Sequence, residues 1–492
     1  MAETSGQAGG HLVRQIGLGS GVAVVVGSTI GSGIFKSPSG IAEQLPGPLP
    51  FLLAWIVGGF FVLCGALTLS EVGSAYPYAG GLYVYIREAF GRQAAFLFGW
   101  AQLVLIRPSS VGAVAIVFGQ HALRLFGVPE SSAQFPMLTA ALSVGAIVAV
   151  GLANTFGVRF GTGVQNITTI AKTAGLFVLI IAALFIALPK SGGHFTPAAP
   201  PGSFSLSMFG LALVSTLWAY DGWTDGTYVG GEMTDPRKNL PRATLLGTLA
   251  VIGVYLLANV AYLAVFSVQE IGKSQLVAAD AMSRLIGAGG VAFIVATVMV
   301  STFGTLNGSV LTSPRLFFAM AEDRLIFPQL ATVHPKYKTP VTSTVLVGCL
   351  GIAYVLVATA FSGSKAFGTL TDAFVIASVP FYAMAVGSVF VFRHRQKKLE
   401  LSTGSAKLDD SLVDPVETGH VETHPHAYKP AALTPGFPVV PVLFILSTVF
   451  LLANSLIDPT SRIPTLITLA IVAIGVPVFR VAIVNRSLPT RD

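Results

Sequence analysis

The fold is decided by the stretch VVVGSTIGSGIF at residues 24–35, in which three glycines interrupt an apolar run that begins at Ile16. Each glycine weakens a helix by roughly 0.5–1 kcal/mol relative to alanine. In hydrocarbon, every backbone N–H and C=O group that such a break releases needs a partner inside the protein. The sequence therefore predicts a membrane helix that is broken at a polar cavity.

A second interruption, WAYDGWTDG at residues 218–226, lies within another apolar run. Broken helices at corresponding points of two halves are typical of the central site of transporters built from inverted repeats. The symmetry rests on the placement of the two breaks, because the halves share no evident sequence identity.

The composition is that of a membrane protein. Of the 492 residues, 53% are hydrophobic and 10% are charged, which is more apolar than a soluble core requires. Runs of about 20 apolar residues are long enough to cross a bilayer, and we predict an all-α polytopic membrane protein with about 12 transmembrane helices. The candidate spans lie near residues 16–45, 49–72, 94–120, 137–154, 163–188, 206–231, 242–266, 289–319, 341–361, 368–392, 438–456 and 464–484.

These spans divide into a 5+5 inverted repeat followed by two helices, with a break in the first helix of each repeat. The predicted divisions are a cytoplasmic tail at 1–15, a first repeat at 16–188, a second repeat at 206–392, a cytoplasmic linker at 393–436, two helices at 437–484 and a cytoplasmic tail at 485–492.

The positive charges predict the orientation. Most of the 29 Lys and Arg residues lie in loops on one side of the predicted bundle, so the positive-inside rule places both termini in the cytoplasm. The same distribution accounts for the net charge of +7, and no nucleic-acid partner is expected. Cys64 and Cys349 both lie in predicted spans and offer no extracellular disulfide framework. The first fifteen residues lack an apolar signal segment, so we expect the first helix to be retained.

The long loop 393–436 begins with basic residues, becomes acidic and rich in Ser and Thr, and ends rich in proline. Such a composition is typical of a flexible linker. Its histidines, at 420, 424 and 426, match no metal-ligand spacing. We expect neither a metal nor a cofactor, and no cluster of nucleophile and base indicates an enzyme.

The first break offers both ends of a site for a zwitterion. If the helix restarts near Gly33, the N–H groups of Ser32, Gly33 and Ile34 lack helical partners and face an anion. The carbonyl groups near Thr29 and Ile30 are then available to an ammonium group. The alternative is that the glycines only permit close helix packing, as small residues commonly do. The second break favours the binding site.

At the second break, the released carbonyl groups near Trp218, Ala219 and Asp221 are expected to accept further ammonium protons, and the Trp218 ring to cover the side chain of the cargo. The carboxylate of Asp221 either pairs with a cationic cargo or accepts from loose backbone N–H groups, and we favour the structural role. For Asp225, an equally good assignment is the cap of the next helix.

Two more charges lie within predicted spans. Lys172 either holds its ammonium group between helices, where it replaces a bound cation, or extends its stem to the membrane surface. We favour the first alternative. Arg107 is expected to pair with a carbonyl or hydroxyl group inside the bundle rather than with the cargo.

Together these segments resemble the amino acid/polyamine/organocation superfamily, and most closely its L-type amino acid transporter group, over roughly residues 12–485. The motifs that carry the resemblance are VGSTIGSGIF at 26–35, LIRPS at 105–109, YDGW at 220–223 with GE at 231–232 and NLPRA at 239–243, and NGS at 307–309 with SPRLFF at 313–318.

The resemblance implies a LeuT-like fold with helices 1 and 6 broken. It also implies Na⁺-independent transport of amino acids, often by exchange, with the substrate held between the two broken helices. In Na⁺-coupled relatives a sodium site occupies the space that the resemblance assigns to Lys172, with Ser309 near it.

One departure concerns partners. Eukaryotic light-chain members of this group carry a cysteine between helices 3 and 4 that joins a glycoprotein heavy chain, whereas residues 121–136 contain none. We therefore expect no disulfide-linked heavy chain, as in bacterial relatives.

We predict an alternating-access exchanger or facilitator of neutral L-amino acids in the cell membrane. The alternatives are an H⁺-coupled symporter, a carrier of cationic amino acids and, from another class, a nutrient sensor with a transporter fold.

Overall fold

The computed structural model describes residues 16–77, 80–155, 158–332, 341–403 and 428–481. All regular structure in these residues is helical, apart from an isolated β-bridge between Ile16 and Met233. The helices are α1 (Leu18–Thr29), α2 (Gly33–Gln44), α3 (Pro48–Ala75), α4 (Leu82–Phe90), α5 (Arg92–Leu125, with a π-helical turn at Gln102–Ile106), α6 (Phe135–Thr155), α7 (Val158–Ala182, continued by a π-helical turn at Ala183–Ala187 and by Leu188–Ser191), α8 (Leu206–Ala219), α9 (Asp225–Tyr228), α10 (Pro236–Val265), α11 (Val268–Lys273), α12 (Val277–Ile286), α13 (Ala288–Glu322), α14 (Val341–Ser362), α15 (Ala366–Thr403), α16 (Val439–Ile457) and α17 (Arg462–Phe479).

The helices are long and apolar enough to form a membrane bundle. Within the described residues nine stretches qualify by length and hydropathy, and the bent pair α1–α2 makes a tenth. One of the nine, Val341–Leu401, runs through both α14 and α15, and α8 is a shorter apolar helix of 14 residues. The protein is therefore an all-α, multi-pass membrane protein, and the count of twelve spans stays a prediction.

Both predicted helix interruptions are present. α1 and α2 meet at an angle of 44° across residues 30–32. The predicted span 206–231 ends as an apolar helix at Ala219, and after a turn at 220–224 the chain resumes as the single turn α9. Trp218 and Ala219 thus lie in the last turn of α8 rather than in unwound backbone.

The two broken helices pack in the middle of the bundle. α1 packs against α10, α2 packs against α8 and α11, and α13 packs against α5 and α7. The hairpin formed by α11 and α12 covers α2, because Gly272 of α11 approaches the backbone of Ala42 and Glu43. A single apolar cluster connects these helices and includes Phe35 and Trp55, both fully buried.

The segment 393–436 differs from the expected flexible linker at both ends. α15 continues well into it, and the residues from Tyr428 onward fold back against the end of α3. There the buried carboxylate of Glu71 accepts hydrogen bonds from the Arg393 guanidinium (2.6 and 2.8 Å), the Tyr428 hydroxyl (2.9 Å) and the N–H group of Thr434 (2.7 Å). These donors compensate the desolvation of a buried charge. The three histidines of this segment lie outside the described residues.

Candidate functional site

A cavity of about 620 Å³ lies where the two breaks meet, and it is lined by residues from α1, α2, α5, α7, α8, α9, α13 and α15 and from the turn at 220–224. The side chains of Ile30 and Ile34, whose backbone groups were predicted to belong to the site, are fully buried in the apolar core. The predicted site residues that line the cavity are Thr29, Ser32, Gly33, Trp218, Ala219, Asp221 and Ser309.

The cavity opens at the end of the bundle where α1 begins. Ser20 and Ala23 of α1 line the cavity and are exposed, as is Ile170 of α7. By contrast, every residue from Thr29 to Ser39 is buried. The site is therefore accessible from the side of α1 and closed on the side of α2.

The two breaks touch each other through glycines. A Cβ atom on Gly33 would lie 2.5 Å from Cα of Ala219, and a Cβ atom on Gly222 would lie 2.7 Å from the backbone of Ser28 and Thr29. Gly222 also has φ near +109°, a conformation that favours glycine. The crossing of the two backbones therefore requires glycine at both positions, and it brings the start of α2 beside the end of α8.

The start of α2 is an uncapped helix N-terminus at the cavity. Ser32 occupies the N-cap position, and its side chain makes no capping hydrogen bond. The first N–H groups of an α-helix have no partner within the helix and carry a partial positive charge. Since Ser32 and Gly33 line the cavity, these groups are presented to its contents, and such an arrangement binds carboxylates.

A tyrosine with no sequence motif of its own joins the two breaks. The Tyr255 hydroxyl lies 2.7 Å from the carbonyl oxygen of Thr29 and 3.0 Å from that of Ala219. Because a hydroxyl group carries one proton, it donates to one of these carbonyls at a time. The carbonyl groups expected to be free for an ammonium group are thus shared with Tyr255. In the sequence, the only indication of this role is that Tyr255 places a polar hydroxyl group within the apolar helix α10.

Lys172 is held inside the bundle. Its side chain is 1% exposed, and its ammonium group donates a hydrogen bond to the carbonyl oxygen of Gly27 in α1. The side chain therefore does not extend to the membrane surface, which was the alternative that the sequence left open. A buried ammonium group needs such a partner, and this one places a positive charge beside the first break.

Three charged residues line the cavity, namely Arg107, Asp221 and Asp225. Asp221 Oδ1 accepts a 2.7 Å hydrogen bond from the Tyr382 hydroxyl, and Arg107 Nε donates to the side-chain carbonyl of Gln102 at 3.0 Å. The prediction that Arg107 pairs with a carbonyl or hydroxyl group is confirmed. Its guanidinium also interacts with the charges of Asp221 and Asp225. Asp225 is the first residue of α9 and not its cap, so the predicted capping role is wrong.

Aromatic rings of α15 hold Trp218 in place. The Trp218 ring packs edge-on against Phe374, with centroids 4.9 Å apart, and against Phe367, at 6.3 Å. Phe374 and Tyr382 both line the cavity. No sequence pattern distinguishes these α15 residues from aromatic residues that face lipid, and only the packing of α15 against α8 reveals them.

A membrane bundle whose two broken helices cross at a polar cavity has the architecture of a secondary transporter. The chain matches the amino acid permease family over residues 16–477. It therefore belongs to the amino acid permease family, in agreement with the resemblance seen in its motifs.

Known relatives cover most of the chain. The serine/threonine exchanger SteT of Bacillus subtilis (strain 168) is 31% identical over 471 residues, which are 95% of this chain and 96% of that protein. The human b(0,+)-type amino acid transporter 1 is 30% identical over 390 residues, or 79% of this chain and 78% of that protein. The human large neutral amino acids transporter small subunit 2 is 36% identical over 364 residues, or 72% and 66%.

Proposed function

We propose that this protein moves neutral L-amino acids across the membrane by alternating access, as an exchanger or facilitator. The observation that carries the proposal is the uncapped start of α2 at the cavity. The carboxylate of an amino acid accepts there from the N–H groups of Ser32, Gly33 and Ile34. The names of the relatives support this class of cargo, since SteT is a serine/threonine exchanger and the two human proteins are amino acid transporters.

We assign the ammonium group of the cargo to the carbonyl groups of Thr29, Ile30 and Ala219. Tyr255 donates to the carbonyl of either Thr29 or Ala219, and the other one accepts from the cargo. The side chain of the cargo then lies against Trp218. Both ends of the zwitterion are bound by backbone groups, so this part of the affinity is the same for every amino acid.

The charges around the cavity favour a cargo without net charge. Lys172 and Arg107 are formally positive, and Asp221 and Asp225 are formally negative, so the four charges cancel. Transfer of a net charge into a poorly hydrated cavity costs more free energy than transfer of a zwitterion whose charges are matched by the site. The balance supports neutral amino acids over cationic ones.

The proposed topology places both termini in the cytoplasm of a cell whose plasma membrane holds the protein, because loops rich in Lys and Arg stay inside. The open end of the cavity then faces the cytoplasm. Residues 121–136 contain no cysteine, so we propose that the protein works without a disulfide-linked heavy chain.

Exchange is tested with the purified protein in liposomes. We expect rapid uptake of labelled leucine or serine into vesicles preloaded with a neutral amino acid, because the return of a loaded carrier completes the cycle. Uptake into empty vesicles is expected to be slow if the protein is an exchanger and rapid but not concentrative if it is a facilitator, and in neither case is an inward proton gradient expected to accelerate it. Concentrative uptake into empty vesicles that follows the proton gradient would establish H⁺-coupled symport and contradict exchange.

Asp221 and Tyr382 are expected to act as one unit. Asp221→Ala and Tyr382→Phe each remove the 2.7 Å hydrogen bond, and loss of a buried bond costs about 1–3 kcal/mol. We expect each variant to lower the initial rate of leucine exchange by about tenfold, and the double variant to be no worse than the more damaging single variant. Arginine exchange, measured in parallel, is expected to change by the same factor as leucine exchange.

The alternative role of Asp221 predicts a different pattern. If the carboxylate binds a cationic side chain, Asp221→Ala selectively abolishes arginine exchange, whereas Tyr382→Phe does not. That outcome would indicate that the protein carries cationic amino acids rather than neutral ones.

A further inference from the structure

A second group of charges lies one turn along α2 from the cavity. Lys36 is 9% exposed, and its ammonium group donates a hydrogen bond to the backbone carbonyl of Gln275, in the link between α11 and α12. The carboxylates of Glu130 and Asp280 both interact with the Lys36 charge. Burial raises the pKa of Glu130, which indicates that the group is poorly hydrated.

Other polar side chains join this group to α5. Arg124, in the last turn of α5, pairs with Asp280 at 2.8 Å and with Glu130 at 3.6 Å. Ser274 donates to the second oxygen of Asp280 at 2.7 Å. His121 is fully buried, and it lies close enough to interact with both cations. The contacts connect α2, the end of α5, the loop that carries Glu130 and the α11–α12 hairpin.

These contacts lie at the closed end of the cavity. The cavity opens where α1 begins, and the hairpin covers α2 at the other end through the approach of Gly272 to Ala42 and Glu43. A cargo that crosses the membrane leaves by that other end, so α2 and the hairpin have to separate once in each cycle. Separation breaks the hydrogen bond between Lys36 and Gln275.

We propose that Lys36 is the latch of this closure: its ammonium group, hydrogen-bonded to the carbonyl of Gln275 and attracted by the charges of Glu130 and Asp280, keeps α2 against the hairpin and sets how often that end opens. The proposal rests on the proposed function in one respect, the alternation of access, and not on the identity of the cargo. Ile271 and Leu276 of the hairpin region are fully buried, and their apolar packing does not involve the ammonium group, so we expect removal of the latch to weaken the closure without abolishing it.

The test measures how often α2 leaves the hairpin in the full-length protein, purified in detergent, where a water-soluble maleimide reaches both ends. Ser39 of α2 is 8% exposed, so a cysteine there (Ser39→Cys, in a Cys349→Ser background) reacts when α2 separates. Lys36→Met keeps the apolar stem and removes the ammonium group. We expect the rate of modification at position 39 to rise at least about fivefold, because the closed state loses a charge-assisted hydrogen bond.

Matched variants define the specificity of the effect. Lys273→Met removes an exposed lysine from the same hairpin, and we expect it to leave the rate unchanged. Asp280→Asn breaks the ion pair with Arg124 and is expected to raise the rate by a second route, which also tests the proposal if Lys36→Met does not fold. The native Cys64, buried in α3, is expected to stay unmodified in every variant.

The proposal is overturned if the folded Lys36 and Asp280 variants modify position 39 at the parental rate. It is equally overturned if Cys64 becomes modified in parallel, because the protein has then lost its fold rather than its latch. No amino acid is present in this experiment, so a wrong assignment of the cargo leaves the result unaffected.

Discussion

Replacement of Lys172 by leucine is expected to lower amino acid exchange by about 5- to 150-fold while the protein remains folded. The ammonium group is buried and donates to the carbonyl oxygen of Gly27, and a buried acceptor left without its partner costs about 1–3 kcal/mol. The lost hydrogen bond is one that stabilises the first break, whose geometry orients the start of α2 toward the cargo. It also leaves Asp221 and Asp225 with one positive charge, that of Arg107, to balance them.

The measurement is the initial rate of exchange in liposomes, together with the thermal unfolding of the purified variant. Lys190→Leu is the matched control, because Lys190 lies at the exposed end of the same helix. Lys172→Arg is expected not to restore exchange, since a planar guanidinium does not fit a space shaped for an ammonium group. If Lys172 takes the place of a bound sodium ion, replacement of Na⁺ by choline leaves the parental rate unchanged. Parental exchange by a folded Lys172→Leu protein would contradict a role for this charge in transport.

The parts of the site that could be predicted are those with a local cause. Glycines inside an apolar run weaken the helix wherever the rest of the chain lies, so both breaks follow from the sequence. A lysine deep within an apolar run is costly in any membrane fold, and this cost singled out Lys172. The exact end of the second broken helix was less predictable, because the position of Gly222 depends on its contact with Ser28 and Thr29.

The parts that could not be predicted depend on partners far away in the chain. Tyr255 links the two breaks because its hydroxyl group contacts carbonyl oxygens at the ends of α1 and α8. Tyr428 looked like part of a flexible linker because its partner, Glu71, lies 357 residues earlier. Lys36 follows the first break directly, but its role depends on Gln275. In each case, tertiary packing brings the hydrogen-bond partner close. A single sequence does not indicate which distant residues pack together.

Gly33→Ala is expected to lower exchange by at least about 100-fold. The added Cβ atom would lie 2.5 Å from Cα and 3.3 Å from the carbonyl oxygen of Ala219, so the backbones of the two breaks have to move apart. Overpacking of this kind costs about 1–3 kcal/mol, which a folded protein survives. However, the groups that are displaced are those that bind the two ends of the cargo. Where function depends on such alignment, misplacement by about 1 Å lowers the rate by about 10²-fold.

Two glycines nearby separate this effect from a general requirement for small residues. A Cβ atom on Gly40, also in α2, would lie 3.9 Å from its nearest neighbour, the Ser215 hydroxyl, so Gly40→Ala is expected to exchange at the parental rate. A Cβ atom on Gly31 would lie 3.6 Å from the Thr305 hydroxyl, without overlap, but Gly31 lines the cavity.

For Gly31→Ala we therefore expect unchanged thermal stability and a higher apparent KM, because the methyl group occupies space next to the cargo. If the glycines served helix packing alone, Gly31→Ala would leave both quantities unchanged, and Gly33→Ala would lower stability without changing the KM of the protein that remains folded. A rise in KM at Gly31, where the added methyl group has room, thus identifies the first break as a binding site rather than a packing contact.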